Sequence, residues 1–383
     1  MSAPPPLGVY IHWPYCARIC PYCDFNVYRD RGRDAEKRAL AEAIAVDLEA
    51  QSRMTGPRRL ASIFFGGGTP SLMTPDQVAQ IIDLCRRLWP QGDALEISLE
   101  ANPTDAEADR FAALSQAGVN RLSLGVQSLD DAQLAFLGRN HSATEAHRAA
   151  ILARRLFARL SIDLIYALPG QTEAGWRSAL NHAVDLGAEH ISPYQLTIEQ
   201  GTAFDRAVRR GRQAPVESEL AARLYDATQE VLSLRGYSAY EVSNHALGEA
   251  ARSRHNLVYW RGEDYIGVGP GAHGRLTTPE GRLATEAVPA VGAYIDQVLN
   301  TGLGFKNPER LDGLEQAQER LLMGLRLLEG VRWTELAPLG LHPADPRVRD
   351  LESYGLVVWD GLRLRATSDG RRILDSVTRA LAA

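Results

Sequence analysis

Lysine is almost missing from this chain: Lys37 and Lys306 are the only two among 383 residues, and arginine carries the positive charge. That scarcity leaves little room for Schiff-base or other lysine-based covalent catalysis. Charge of neither sign is in strong excess, the formal net charge being -5, so no basic patch argues for a nucleic-acid partner. No run of eighteen consecutive apolar residues exists, and no membrane span is expected. The opening stretch MSAPPPLGVYIHWPYC has no basic region followed by a long apolar one, so it does not read as a secretory signal. A cytoplasmic location follows as the expectation, with thiols kept reduced. Cysteine is scarce as well. Of four in the chain, three fall in CARICPYC as Cys16, Cys20 and Cys23, and the fourth is Cys85.

With 45% hydrophobic and 23% charged residues the chain is ordinary globular material. Short β-rich runs alternate with amphipathic stretches. Strands are expected at 8–14, 61–67, 95–102, 121–127, 159–169 and 190–198, and helices at 34–53, 74–90, 142–157 and 173–187. Thr74 before Pro75 is a helix-start signal. Six strand–helix units in succession imply an α/β fold with a parallel sheet. The strands read as near-continuous apolar runs, which suits burial on both faces. A partial barrel and a doubly wound sheet both satisfy this pattern. Residues 199–300 are mixed, with a helix near 217–235, a strand-like YSAYEVSNH at 237–245 and the glycine-rich YIGVGPGAHG at 265–274. After residue 304 a helix at 314–330, a hairpin around Asp360-Gly361 of type I′ signature and a terminal helix suggest a small winged-helix-like domain.

The C-x3-C-x2-C spacing follows the first apolar strand, where α/β proteins place their chemistry. A structural zinc site wants four ligands. Cys85 lies on the apolar side of a helix, IIDLCRRLW, and is best explained as a buried inert thiol. His12 could complete a zinc site, although a histidine inside a strand more often packs. Three thiolates in a tight loop instead suit three irons of a [4Fe–4S] cube, leaving the fourth iron open.

At this spacing, beside a first strand, the sequence resembles the radical S-adenosylmethionine (SAM) superfamily. The resemblance implies a partial (β/α)6 barrel over residues 1–245, in which Cys16, Cys20 and Cys23 hold a [4Fe–4S] cluster and SAM chelates the open iron. An electron from the cluster would then cleave the sulfonium. GGGTP (66–70) matches the family's SAM-binding turn through Gly67, Gly68 and Thr69, while Glu100 in ISLEAN matches the acid that binds the ribose. Gln127, Arg139 and Asp163 match further SAM contacts, and Tyr10 and Tyr22 match aromatic positions lining it. Singly, each could be a turn or a capping residue; in order, they imply a SAM site.

Over nearly the whole chain, segments such as FFGGGTPSL, DLIYALPGQT, SPYQLTIEQGT and RHNLVYW resemble the coproporphyrinogen III oxidase-like group. That group holds oxygen-independent oxidases, which decarboxylate two propionates by radical chemistry, and HemW-type haem chaperones, which bind haem and pass it on. The oxidase pattern has a further cysteine where this chain has Phe25, and an N-terminal extension where only 15 residues precede Cys16. HNLVYW (255–260) matches the chaperones' HNxxYW signature within a connecting segment, 246–304, and residues 305–383 match the C-terminal domain. The expected partners are therefore haem and acceptor apo-haemoproteins, respiratory ones among them, with a homodimer left open and no nucleic acid. His255 is the first candidate for the haem iron and His273, in GAHG, the second. The plainer reading of His255 is a packed histidine beside aromatics. Alternatives are the oxidase itself and, more remotely, methylation of a macromolecule.

Overall fold

The computed structural model describes residues 4–212, 214 and 216–383. Met1, Ser2 and Ala3, which begin the stretch considered for a signal, lie outside the described residues. Six strands follow in order: β1 (Pro6–Trp13), β2 (Arg59–Gly67), β3 (Gln91–Ala101), β4 (Arg121–Gln127), β5 (Arg159–Tyr166) and β6 (His190–Gln195). Each pairs in parallel with the next. Helices α1 (Asp34–Thr55), α2 (Pro75–Leu88), α3 (Ala143–Leu156) and α4 (Glu173–Asp185) lie between them. The spatial order never reverses, which is the winding of a barrel and not of a doubly wound sheet. Thr74 caps α2 through a reciprocal pair of hydrogen bonds with Gln77, and Pro75 opens the helix.

The strands are not apolar on both faces. Leu7, Val9 and Ile11, Ile63 and Phe65, Ile97 and Leu99, Leu122 and Leu124, and Ile162 and Leu164 all join one buried core with Leu40, Ile44 and Leu48 of α1 and Ile82 of α2. The alternate residues turn the other way, because successive side chains on a strand point to opposite faces. That inner face carries Ser62, Glu96, Ser98, Arg121, Ser161 and His190, all buried. They satisfy one another: Ser161 Oγ lies 2.7 Å from His190 Nδ1, and Glu96 accepts from Arg159 at 2.6 Å. A buried polar face of this kind is tolerated only when its groups are paired, and it leaves the upper end of the barrel free for chemistry.

Residues 246–304 do more than connect. They supply a seventh parallel strand, β7 (Asp264–Val268), which pairs with β1, and two antiparallel strands, β8 (His273–Thr278) and β9 (Gly281–Glu286). A strand β10 (Glu309–Leu311) extends β9. At the other edge the expected strand at 237–245 is reduced to two short pieces, Ser238–Ala239 and His245–Ala246, joined by a bend. Glu241 holds that bend by accepting from Ser243 N and Asn244 Nδ2. No pairing joins the two ends of the twelve-stranded sheet among the described residues. The barrel is thus partial.

Beyond β10, a separate core forms around Leu321, Leu325, Val331, Leu364 and Leu381. It combines the helix Gly313–Gly324 with a three-stranded antiparallel sheet and a terminal helix, Leu374–Ala382. The hairpin in this sheet differs from the expected type I′ turn, since Gly361 does not have a positive φ. Instead Asp360 Oδ1 accepts from both Leu362 N and Arg363 N, closing a longer loop.

Candidate functional site

From β1 the chain enters a loop that carries all three clustered cysteines. Two short parallel pairs, Tyr15↔Tyr28 and Cys16↔Arg29, close it at its base. Inside, Cys23 N–H donates to Cys20 O at 3.2 Å. Cys16, Cys20 and Cys23 line a single cavity of about 330 Å³ at the carboxyl ends of the strands. Burial pushes the Cys16 and Cys23 thiols up to about 11, with neighbouring thiolates adding to the effect. A cation among them would reverse that preference and release their protons. Among the described residues the cavity offers three thiols and no imidazole, one donor short of the usual thiolate and imidazole set of a structural zinc site, whereas an iron–sulfur cube bonds each of three thiolates to a different iron. Cys85 is 0% exposed in the core, as expected.

The glycine turn at the end of β2 is fixed by sterics. Gly67 has φ +106, and a Cβ there would lie 2.5 Å from the His12 ring; at Gly68 a Cβ would meet the Tyr15 carbonyl oxygen at 2.7 Å. Only glycine lets this turn come so close to β1. Gly67 N–H donates to Glu100 Oε2 at 3.2 Å, aligning β2 with β3. Burial, with the nearby Asp163 charge, raises Glu100 to about 8. Asp163 is raised too, first by burial, although Ser123 and Ser161 donate to it at 3.0 and 3.3 Å. Two carboxyls that hold protons readily face the same space.

Arg139 balances the thiols. Its guanidinium lies 3.4 Å from Cys20 Sγ, donates to Gly125 O at 3.0 Å and also binds Asn102 Oδ1. Asn102 in turn donates to Thr69 Oγ1 at 3.1 Å. Sequence reasoning missed Asn102, although it follows Glu100 by two residues and joins the glycine turn to the arginine. Gln127 ends β4 with φ +63, a left-handed backbone unusual for a side-chain-bearing residue, and lines the cavity. Such conformations persist where surrounding structure enforces them and concentrate at functional sites. Tyr22, Gly67, Gly68, Thr69, Glu100, Gln127, Arg139 and Asp163 all line the cysteine cavity, and Tyr194 and Ser123 join them.

Tyr10 does not. It lines a second, larger cavity of about 910 Å³, which shares only Asp24 and Phe25 with the first. The wall of this cavity comes from far-apart segments: Phe25, Tyr259 and Trp260, Tyr265, His273, and Arg320 and Met323 of the helix Gly313–Gly324. Tyr259 and Trp260 end the helix Arg254–Trp260, which contains HNLVYW. His255, the first haem candidate, is not in the wall. It is 1% exposed, its Nδ1 is 2.8 Å from Ser62 Oγ and its Nε2 is 2.7 Å from Tyr259 Oη. Phe64 stacks on it at 4.9 Å, and burial lowers it to about 3. Here the plainer reading describes the residue: a neutral packed histidine with both ring nitrogens taken.

Strand-end cysteines, the glycine turn and the convergent carboxyls on a partial parallel barrel define a radical-SAM-type protein. The family model described as Radical SAM superfamily matches residues 10–183, and that of the HemN C-terminal domain matches 311–373. The structure of coproporphyrinogen III oxidase (HemN) from Escherichia coli aligns with 99% of this chain and 91% of its own at a TM-score of 0.80 and 20% identity, a likeness of fold. Radical S-adenosyl methionine domain-containing protein 1, mitochondrial, from Bos taurus is 39% identical over 98% of this chain and 87% of its own length. Heme chaperone HemW from Bacillus subtilis is 36% identical over 91% and 92%, and that from Escherichia coli 40% over 73% and 72%. The chain belongs to this radical SAM family of HemW haem chaperones and their mitochondrial relatives. Membership implies SAM and a [4Fe–4S] cluster.

Proposed function

We propose that the chain is a haem chaperone, binding haem in the larger cavity and passing it to apo-haemoproteins. Cys16, Cys20 and Cys23 would hold the cluster; Gly67, Gly68, Thr69, Glu100, Gln127, Arg139 and Asp163 would hold SAM. When bound, the cluster supplies one-electron reduction next to a sulfonium. The chain's own residues would prepare that space: Arg139, 3.4 Å from Cys20 Sγ, would offset thiolate charge there, and the Glu100 carboxyl would meet hydroxyl groups.

The observation that carries the haem reading is the second cavity. Tyr259, Trp260 and Tyr265 give it an apolar side, and Arg275, Arg282 and Arg320 border it, ion-paired with Glu319, Asp264 and Glu335. A flat apolar ligand matches the first feature, and carboxylates at its edge would share these guanidinium groups with their present partners. No helix of the described residues is long and apolar enough to cross a membrane. A cytoplasmic site of action and respiratory haemoproteins among the acceptors complete the proposal.

The second reading, an oxygen-independent coproporphyrinogen oxidase, draws on the likeness to HemN. Phe25 weighs against it, standing at the boundary of both cavities where the oxidase pattern has a cysteine, 62% exposed. Anaerobic titration of the reconstituted protein with haem separates the two readings. Saturation at one haem per chain, with no decarboxylation of coproporphyrinogen, supports the chaperone. Porphyrinogen turnover without saturable haem binding replaces it with the oxidase.

A further inference from the structure

Three histidines stand in or beside the larger cavity, and their surroundings differ sharply. His12 lines it, but its Nδ1 lies 3.0 Å from Tyr10 Oη and its Nε2 2.9 Å from the Asn26 carbonyl. His255 is enclosed behind Tyr259 with both nitrogens bonded. His273 opens β8, is exposed, lines the cavity, and has no side-chain hydrogen bond among the described residues. A haem iron needs an imidazole nitrogen with a free lone pair. We infer that His273 is the residue that ligates haem iron in this cavity, an inference that rests on the chaperone reading above.

The local fold holds His273 in place. Gly267 of β7 packs so closely that a Cβ there would lie 2.1 Å from the His273 carbonyl oxygen, and Gly271 (φ +78) lies against Asn26. Asn26 Nδ2 donates to Pro270 O at 2.9 Å and to Pro289 O at 2.8 Å, tying the turn before His273 to the cysteine loop. Directly across the hairpin, Glu286 is the register partner of His273 and lines the same cavity. Side chains at directly opposed positions are within reach of each other. The Glu286 carboxylate can accept a hydrogen bond from the protonated ring nitrogen and leave the other nitrogen for iron, the arrangement that fixes tautomer and ring orientation in histidine–metal sites. Arg275, two residues along β8, shares the face of His273 and borders the cavity. One Fe–N bond forms, a weakly held solvent ligand leaves, and the ring proton stays on the nitrogen facing Glu286.

The test is a ferric haem titration of the full chain, reconstituted anaerobically and followed by the Soret band, for wild type, His273→Ala, His255→Ala and His273→Gly. In wild type, saturation at one haem is expected. His273→Ala should weaken binding by about tenfold or more and move the Soret maximum, His255→Ala should leave the maximum in place, and added imidazole should restore the wild-type spectrum to His273→Gly. A wild-type spectrum and affinity in His273→Ala would overturn the inference while leaving the chaperone reading intact. Absence of saturable binding in the wild type would overturn the reading itself and the inference with it.

Discussion

The two cavities meet at Asp24 and Phe25 and hold opposite kinds of chemistry. The smaller is built from one repeated device: polar side chains at successive strand ends, with thiols, carboxyls and a guanidinium within reach of one another. The larger is assembled from the cysteine loop, the HNLVYW helix, an antiparallel hairpin and a helix of the C-terminal unit, and its wall mixes aromatic rings and arginines with carboxylates such as Glu286, Glu319 and Glu335. A barrel end needs only its strands in order to bring ligands together. A cavity between a barrel edge and a second core needs two units to dock, and they do so through Arg320, which donates to Trp260 O at 2.9 Å, and Arg326, which lies 4.5 Å over the Trp260 ring.

The largest effect that would break this division is loss of the cluster. Cys20→Ser should reduce iron and acid-labile sulfide in the reconstituted protein to background and abolish its brown absorbance, while ferric haem binding in the other cavity persists. Loss of both would show that the cavities are one site.

Gly68→Ala comes next. Its Cβ would press on the Tyr15 carbonyl oxygen and Pro14 backbone at 2.7 and 2.8 Å, atoms that cannot swing aside. SAM affinity by equilibrium dialysis should fall by about tenfold or more, with iron content and haem affinity retained. Unchanged SAM affinity would remove the glycine turn from the SAM site.

Glu100 gives the small cavity a pH signature in cofactor-free protein. Its folded value, about 8, lies above the ordinary 4.5, so the native state holds a proton that the unfolded chain has released. Stability should therefore decline as pH rises from about 4.5 towards about 8, and Glu100→Gln should flatten that decline. Urea unfolding across this range checks it. An equal slope in the variant would assign the decline to other groups, Asp163 among them.

Tyr259→Phe is the smallest change and sharpens the role of His255. Removing the hydroxyl leaves the buried Nε2 unpaired, a cost of about 1–3 kcal/mol in unfolding free energy. Because the ring is kept in the cavity wall, haem affinity should change little.

The contrast also explains what could be read from the chain alone. Cys16, Cys20, Cys23, the glycine turn and Glu100 are legible because each follows its own strand and the strands occur in sequence. The alternation in LEISLEAN and RLSIDLIY, one residue outward to the helices and the next inward to the polar interior, was equally present in the letters, but the inward serines are small enough to pass as part of an apolar run. The role of residues 246–304 was not legible. Nothing local in YIGVGPGAHG says that its strand will pair with β1, at the far end of the sheet order from β6. The place of His255 was not legible for a related reason: the motif identifies the segment, but on one short helix Tyr259 reaches the cavity while His255, one turn earlier, is enclosed.

The central claim is that haem and SAM occupy different cavities. The most direct test is a SAM titration of the cluster-loaded protein with and without one bound haem per chain. Unchanged SAM affinity, with haem retained at SAM saturation, is the result predicted here. Mutual displacement of the two ligands would contradict it and place haem in the cysteine cavity.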